Sequence, residues 1–259
     1  MYYKKKTKWI LQPSPKPDAK VRLFCFPYAG SSAVVTYKYF VDNLPDFVEV
    51  CPVELPGRGT RISENLIDNI EELLTNISNE MTDWLDKPFM FFGHSMGALI
   101  GYELVFKIYE NYNILPEKLY VSAHKAPFLD RGGPIMHKLK KNDFINELKK
   151  MNGIAKELLE HKELMDLMLP IIRNDYAVCE NYNYKEKEKI NVPITAFGGT
   201  FDKEIREEHL KQWSNVTNAD FNYFLIEGDH FFIVKEKEKF MNLFAKLLIN
   251  DISKIIAEK

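Results

Sequence analysis

Phe89-Met90-Phe91-Phe92-Gly93-His94-Ser95-Met96-Gly97-Ala98-Leu99-Ile100 runs from an apolar stretch, through two glycines that flank a serine, into residues of helical character. The glycine–His94–Ser95–Met96–glycine segment is G-x-S-x-G between a predicted strand and a predicted helix. That arrangement puts a serine on a sharp, strained turn with its hydroxyl exposed above a sheet. Gly93 and Gly97 have no side chains to collide where strand and helix meet. The helix N-terminus below Ser95 offers the Met96 N–H and a positive dipole end to a developing oxyanion.

Outward from this turn, apolar runs alternate with helical patterns. Upstream, Val21–Phe26 reads as a buried strand and residues 33–44 as a helix ended by Pro45. Residues 47–53 read as a second strand and 66–85 as an amphipathic helix. Trp9-Ile10-Leu11 is expected as a short edge strand. Downstream, the helix behind Ser95 spans 96–111, and 118–123 is the next strand. Strands follow at 192–197 and 221–226, with helices over 203–214 and 236–257. The alternation predicts one α/β domain over 1–259 with a mostly parallel, doubly wound sheet.

The stretch 126–184 breaks the pattern, since it holds no strand-like run. It predicts a helical lid inserted in the domain, with a basic helix over 138–151, short helices over 154–161 and 162–169, and another from Pro170 to Tyr184. Most of Met151, Leu158, Leu159, Leu164, Met165, Leu167, Met168 and Leu169 are expected to join these helices to each other, and some of them to face an apolar substrate when the lid opens. Between Lys125 and Lys150 the bases Lys125, Arg131, Lys138, Lys140, Lys141, Lys149 and Lys150 face only Asp130, Asp143 and Glu147. Such a local excess steers an acidic partner.

G-x-S-x-G calls for serine, acid and histidine in that chain order. Asp202 and His230 follow Ser95 in that order, each just past a predicted strand. Ser95 is the candidate nucleophile, His230 the base, and Asp202 the carboxylate that orients the imidazole. Asp229 is a rival acid, but it adjoins His230 and would have to fold back. His94 is not expected to act as the base. Pro27-Tyr28-Ala29-Gly30 follows the first strand, where a second oxyanion N–H belongs; Ala29 is the choice and Tyr28 the neighbouring possibility. Arg58 and Arg61 are expected to pair with carboxylates at the surface rather than to bind phosphate.

Composition bounds the rest. The chain has 259 residues, 46% hydrophobic and 28% charged, with a formal net charge of −2, a balance that does not suggest nucleic acid. No apolar run reaches the ~18 residues of a membrane span, and no secretory signal is visible. Cys25, Cys51 and Cys179 are expected as buried free thiols, which together with the absence of a signal favours the cytoplasm. The six histidines are scattered without metal-ligand spacing. Neither metal nor organic cofactor is expected.

The chemistry so far is acyl transfer to water. It leaves open an editing thioesterase, a general carboxylesterase or medium-chain fatty acyl thioesterase, and a catalytically silent binding protein of the same fold. The stretches Phe24–Gly30, Glu54–Gly59, Gly93–Gly97, Leu169–Tyr176 and Gly228–Phe231 together resemble the type II thioesterase family. These are free-standing α/β-hydrolase enzymes that accompany nonribosomal peptide and polyketide synthases. The resemblance runs from about Trp9 to Phe244. It implies hydrolysis of wrong or stalled acyl groups from the phosphopantetheine arm of acyl or peptidyl carrier proteins. It also implies a triad of Ser95, Asp202 and His230 and oxyanion donors at Met96 and Ala29; a monomer is expected. Phe201 stands where some members have a second aspartate, which removes an ambiguity about the acid.

Overall fold

The computed structural model describes residues 7–151 and 161–257. Six strands form one sheet: β1 (Val21–Phe26), β2 (Val48–Pro52), β3 (Phe89–His94), β4 (Lys118–Ser122), β5 (Ile194–Gly199) and β6 (Phe221–Ile226). Their spatial order is β2-β1-β3-β4-β5-β6, and every pairing is parallel. The chain moves from β1 out to the β2 edge and then returns to the other side of β1 as β3. The loops after β1 and β3 therefore diverge at a topological switch point, where α/β sheets form their binding crevices.

A parallel sheet covered on both faces explains the unbroken apolar runs. Successive side chains alternate between faces. Phe24, Phe26, Phe89 and Phe91 join one core with residues of α3 (Ile70–Met81) and α4 (Met96–Tyr112). Leu23, Cys25, Met90 and Phe92 join the opposite core with α2 (Lys38–Asn43) and the terminal helix. Phe92 meets Phe40 and Phe244 at centroid distances of 5.1 Å each, so aromatic edges and faces fill that second core.

Most predicted elements are present with shifted ends. The helix expected over 33–44 is two short pieces, α1 (Ala33–Thr36) and α2, joined at Tyr37. Helix α3 starts at Ile70 rather than 66, because the Asn69 side chain accepts the Glu72 N–H and caps it there. The edge strand at Trp9–Leu11 is reduced to one antiparallel bridge, Ile10 with Val53.

The insertion differs more. No strand occurs in its described residues, as expected, and α5 spans Lys141–Lys150. The predicted break at Pro170 is absent: α6 runs without interruption from Lys162 to Glu180 with Pro170 inside it. Burial on both sides of the proline carries the helix across. Met165 and Leu169 pack with Phe144 and Leu148 of α5 before it, and Ile172 continues the same cluster after it. The short helix expected over 154–161 lies, except for His161, outside the described residues, as do Leu158 and Leu159. The remaining helices are α7 (Glu207–Lys211), α8 (Phe232–Lys235) and α9 (Lys237–Ala257). Among the described residues no helix is long and apolar enough to cross a membrane.

Candidate active site

All strands point the same way, so the loops that follow them gather at one edge of the sheet. Ser95 sits there between β3 and α4 with φ 52° and ψ −119°, outside the regions that ordinary residues favour. Both glycines of the turn are sterically obligatory. A Cβ on Gly93 would lie 2.0 Å from the Gly97 carbonyl oxygen, and a Cβ on Gly97 would lie 2.2 Å from the Phe26 carbonyl oxygen. The turn is fastened to β4 by the Ser95 N–H, which donates to the Ser122 carbonyl at 2.8 Å.

Asp202 and His230 arrive from the ends of β5 and β6. Their loops are zipped together: the Phe201 N–H donates to the Gly228 carbonyl at 2.9 Å. Gly199 lets the strands close, since a Cβ there would meet the Gly228 and Asp229 carbonyl oxygens at 2.5 Å. Asp202 Oδ2 then lies 2.7 Å from His230 Nδ1. Its other oxygen accepts the Glu204 and Ile205 N–H groups at 2.9 and 3.0 Å, which fixes the carboxylate's aim. Burial works against the imidazolium of His230. The hydrogen bond and charge of Asp202, with Glu204 and Asp229 behind it, outweigh burial and place its pKa above the ordinary histidine value. Asp229 itself faces other groups, accepting the Phe231 N–H at 2.9 Å and pairing with Lys235 at 2.6 Å.

His94 is fully buried, with its Nδ1 2.9 Å from the Ser122 hydroxyl. Its ring stands edge-on to the His230 ring with centroids 5.4 Å apart, so the residue before Ser95 packs directly on the candidate base. Burial first, and then the proximity of His230, hold His94 well below the usual histidine range. It stays neutral and places no second cation beside His230. His124, just after β4, is also held neutral by burial, with its pKa lowered to about 4.

The loop after β1 presents the other candidate donor. The Ser31 N–H donates to the Tyr28 carbonyl at 3.0 Å, and the Gly30 N–H to Asp175 at 2.7 Å. Tyr28 and Ala29 have their N–H groups in the same turn, with no backbone partner among the described residues. The Met96 N–H opens α4.

The surface position expected for Arg58 and Arg61 is wrong, although the carboxylate pairing is right. Both are buried, at 3% and 5% exposure. Arg58 forms a two-pronged pair with Asp175 of α6, and Arg61 pairs with Glu64 while its guanidinium lies 4.0 Å from the Trp9 ring centroid. Asp175 lies in one of the stretches that carry the resemblance, but nothing local gave its role, because its partners Arg58 and Gly30 are distant along the chain.

Residues 21–248 match the thioesterase domain family model. The chain is 36% identical over 245 residues to the linear gramicidin dehydrogenase LgrE of Brevibacillus parabrevis, covering 93% of each. It is 36% identical over 241 residues to the gramicidin S biosynthesis protein GrsT of Aneurinibacillus migulanus, covering 93% of this chain and 94% of the relative. The type II thioesterase BorB from the borrelidin biosynthetic cluster superposes with a TM-score of 0.83 at 32% identity, over 92% of this chain and 96% of BorB. The dehydrogenase in the first relative's name has no counterpart in the motifs here. Where a dinucleotide fingerprint G-x-G-x-x-G would follow β1, this chain reads Pro27-Tyr28-Ala29-Gly30-Ser31-Ser32.

Proposed function

The chain belongs to the thioesterase domain family and is a thioester hydrolase, and on that premise we propose that it is a type II thioesterase that clears acyl or aminoacyl groups from the phosphopantetheine arm of carrier proteins in a nonribosomal peptide or polyketide pathway. Ser95, His230 and Asp202 do the chemistry. Ser95 Oγ attacks the thioester carbonyl carbon while His230 Nε2 takes the hydroxyl proton. Asp202 holds the imidazole in the tautomer that presents Nε2 and offsets the charge it gains. The C–S bond breaks and the arm leaves as a thiol of pKa near ~8.5, which needs less protonation than an amine would. His230 then activates water against the Ser95 ester, and the free acid departs. The Met96 and Ala29 N–H groups stabilise the oxyanion in both steps. The segment 126–184 acts as the lid that keeps water from the acyl-enzyme until it opens.

The observation that carries this reading is the 2.7 Å Asp202–His230 hydrogen bond at the strand ends beside the Ser95 turn. The names of the relatives, drawn from gramicidin and borrelidin biosynthesis, support the carrier-bound substrate. The test compares hydrolysis of acyl-carrier protein with that of a simple ester bearing the same acyl group, by wild type and Ser95→Ala. Preference for the carrier, lost in Ser95→Ala, is expected. Equal turnover of the ester would favour a general carboxylesterase.

A further inference from the structure

The lid helix α6 touches the loop after β1 at two points on one helical face. Asp175 Oδ2 accepts the Gly30 N–H at 2.7 Å, although 145 residues separate them. One turn earlier, Ile172 covers the Gly30 Cα so closely that a Cβ there would lie 2.5 Å from Ile172 Cγ1. Gly30 is at φ +79°, a conformation that favours glycine, and it is the point at which the loop turns. The same carboxylate takes both Nη atoms of Arg58, and Asp175 and Arg58 are 1% and 3% exposed. A buried carboxylate shared between a guanidinium and one backbone N–H is tightly aimed, because charge-assisted bonds are short and strong.

We propose that Asp175 is a positioning residue for catalysis: by holding the Gly30 N–H, it orients the neighbouring Ala29 N–H toward the oxyanion and makes that orientation depend on the seating of the lid helix. The inference rests on the reading of Ala29 as an oxyanion donor. Within the loop, the turn is closed by the Ser31 N–H and hydroxyl on the Tyr28 carbonyl, while the Tyr28 ring packs on His94 and Phe231 and the Ser32 hydroxyl donates to Glu54. The Gly30 N–H itself is held from the lid helix. When α6 is seated the donor is aligned; when α6 withdraws, Gly30 loses its acceptor and the loop relaxes. A misplacement of about 1 Å in a catalytic group is enough to cost about 10²-fold in rate. Acylation is thereby tied to the closed lid, which is also the state that excludes water.

The test uses paired substitutions, because removing one partner alone strands a buried charge. Arg58→Met with Asp175→Leu replaces the pair by apolar groups of similar size and removes the acceptor. Arg58→Gln with Asp175→Asn also removes both charges but keeps a side-chain oxygen for the Gly30 N–H. With acyl-carrier protein, the first protein is expected to lose about 10²-fold in kcat, the scale of one oxyanion donor, with KM changed less than about threefold. The second is expected to recover most of that loss. If the apolar pair does not fold, glycolic acid placed at position 30 by nonsense suppression replaces the N–H with an ester oxygen while every side chain is kept, and is expected to show the same drop in kcat. Wild-type kcat without the N–H or its acceptor, equal losses in both paired variants, or a loss confined to KM would overturn the proposal. Ser95→Ala runs alongside: if it stayed active, the reading of the site would fail instead, and the two failures are distinguishable.

Discussion

His230 Nδ1 and Asp202 Oδ2 meet at 2.7 Å across the ends of adjacent strands, whereas Asp229, next to His230 in sequence, faces Phe231 and Lys235. Adjacency along the chain is a poor guide here, because residue 229 would have to reverse direction to reach its neighbour's ring. Asp202→Asn is expected to lower kcat by about 10²–10⁴-fold, since the amide stabilises the wrong tautomer. Asp229→Asn is expected to retain most activity. Comparing the two single variants under one assay decides between the acids, and a severe Asp229→Asn beside a mild Asp202→Asn would reverse the assignment.

The same pair sets the pH response. His230 is held above the ordinary histidine value of ~6.5, and a general base works when neutral. The kcat/KM profile is therefore expected to rise with pH through a midpoint above ~6.5. NMR titration of His230 in Ser95→Ala reads the midpoint directly, and adding Asp202→Asn should move it downward. For stability the sign is opposite. A raised folded pKa contributes stability that is fully present below ~6.5 and is lost as pH rises through the folded value. A His230 midpoint at or below ~6.5 would contradict this account.

Ser95→Ala is expected to lower turnover by about 10⁴-fold or more while shifting Tm by less than about 2 °C. The side chain is half-buried at the turn and fills no core cluster. Circular dichroism melts and turnover assays on one preparation check both halves.

Gly97→Ala tests the turn's steric basis. The added Cβ would lie 2.2 Å from the Phe26 carbonyl oxygen and 2.9 Å from that of Pro27, both backbone atoms with little room to move. Strand β1 and helix α4 would have to part. A loss of about 2 kcal/mol or more in urea unfolding, together with loss of activity, is expected. Wild-type stability would mean that the turn is more pliable than this packing allows.

The basic part of the insertion is expected to steer an acidic carrier. Lys141 is paired with Asp166 and Lys150 with Glu147, whereas Lys138, Lys140 and Lys149 are exposed with no carboxylate partner among the described residues. Changing Lys138, Lys140 and Lys149 to glutamate should lower kcat/KM on acyl-carrier protein by about 10-fold and flatten its salt dependence. Hydrolysis of a short acyl thioester without the carrier should be unchanged. Equal loss on both substrates would point to a damaged insertion, and no loss on either to docking elsewhere.

From residues alone, the order of strands and helices, the Ser95 turn and the places of Asp202 and His230 after strands were all legible. Each is a local signal. Apolar runs that stop at glycine or proline mark buried parallel strands, and a nucleophile turn needs small residues at fixed offsets. Tertiary structure decided what local patterns do not contain. Pro170 is read locally as a helix start, yet packing of Met165, Leu169 and Ile172 carries α6 through it. Arg58 and Arg61 lie in a turn-rich loop that reads as exposed, yet the insertion buries Arg58 against Asp175 and the Trp9 segment covers Arg61. The acceptor for the Gly30 N–H likewise comes from 145 residues away. Periodicity reports which face of an element is apolar, but a charge pair such as Arg58–Asp175, 117 residues apart, forms only when the folded chain brings its partners together and excludes water from both.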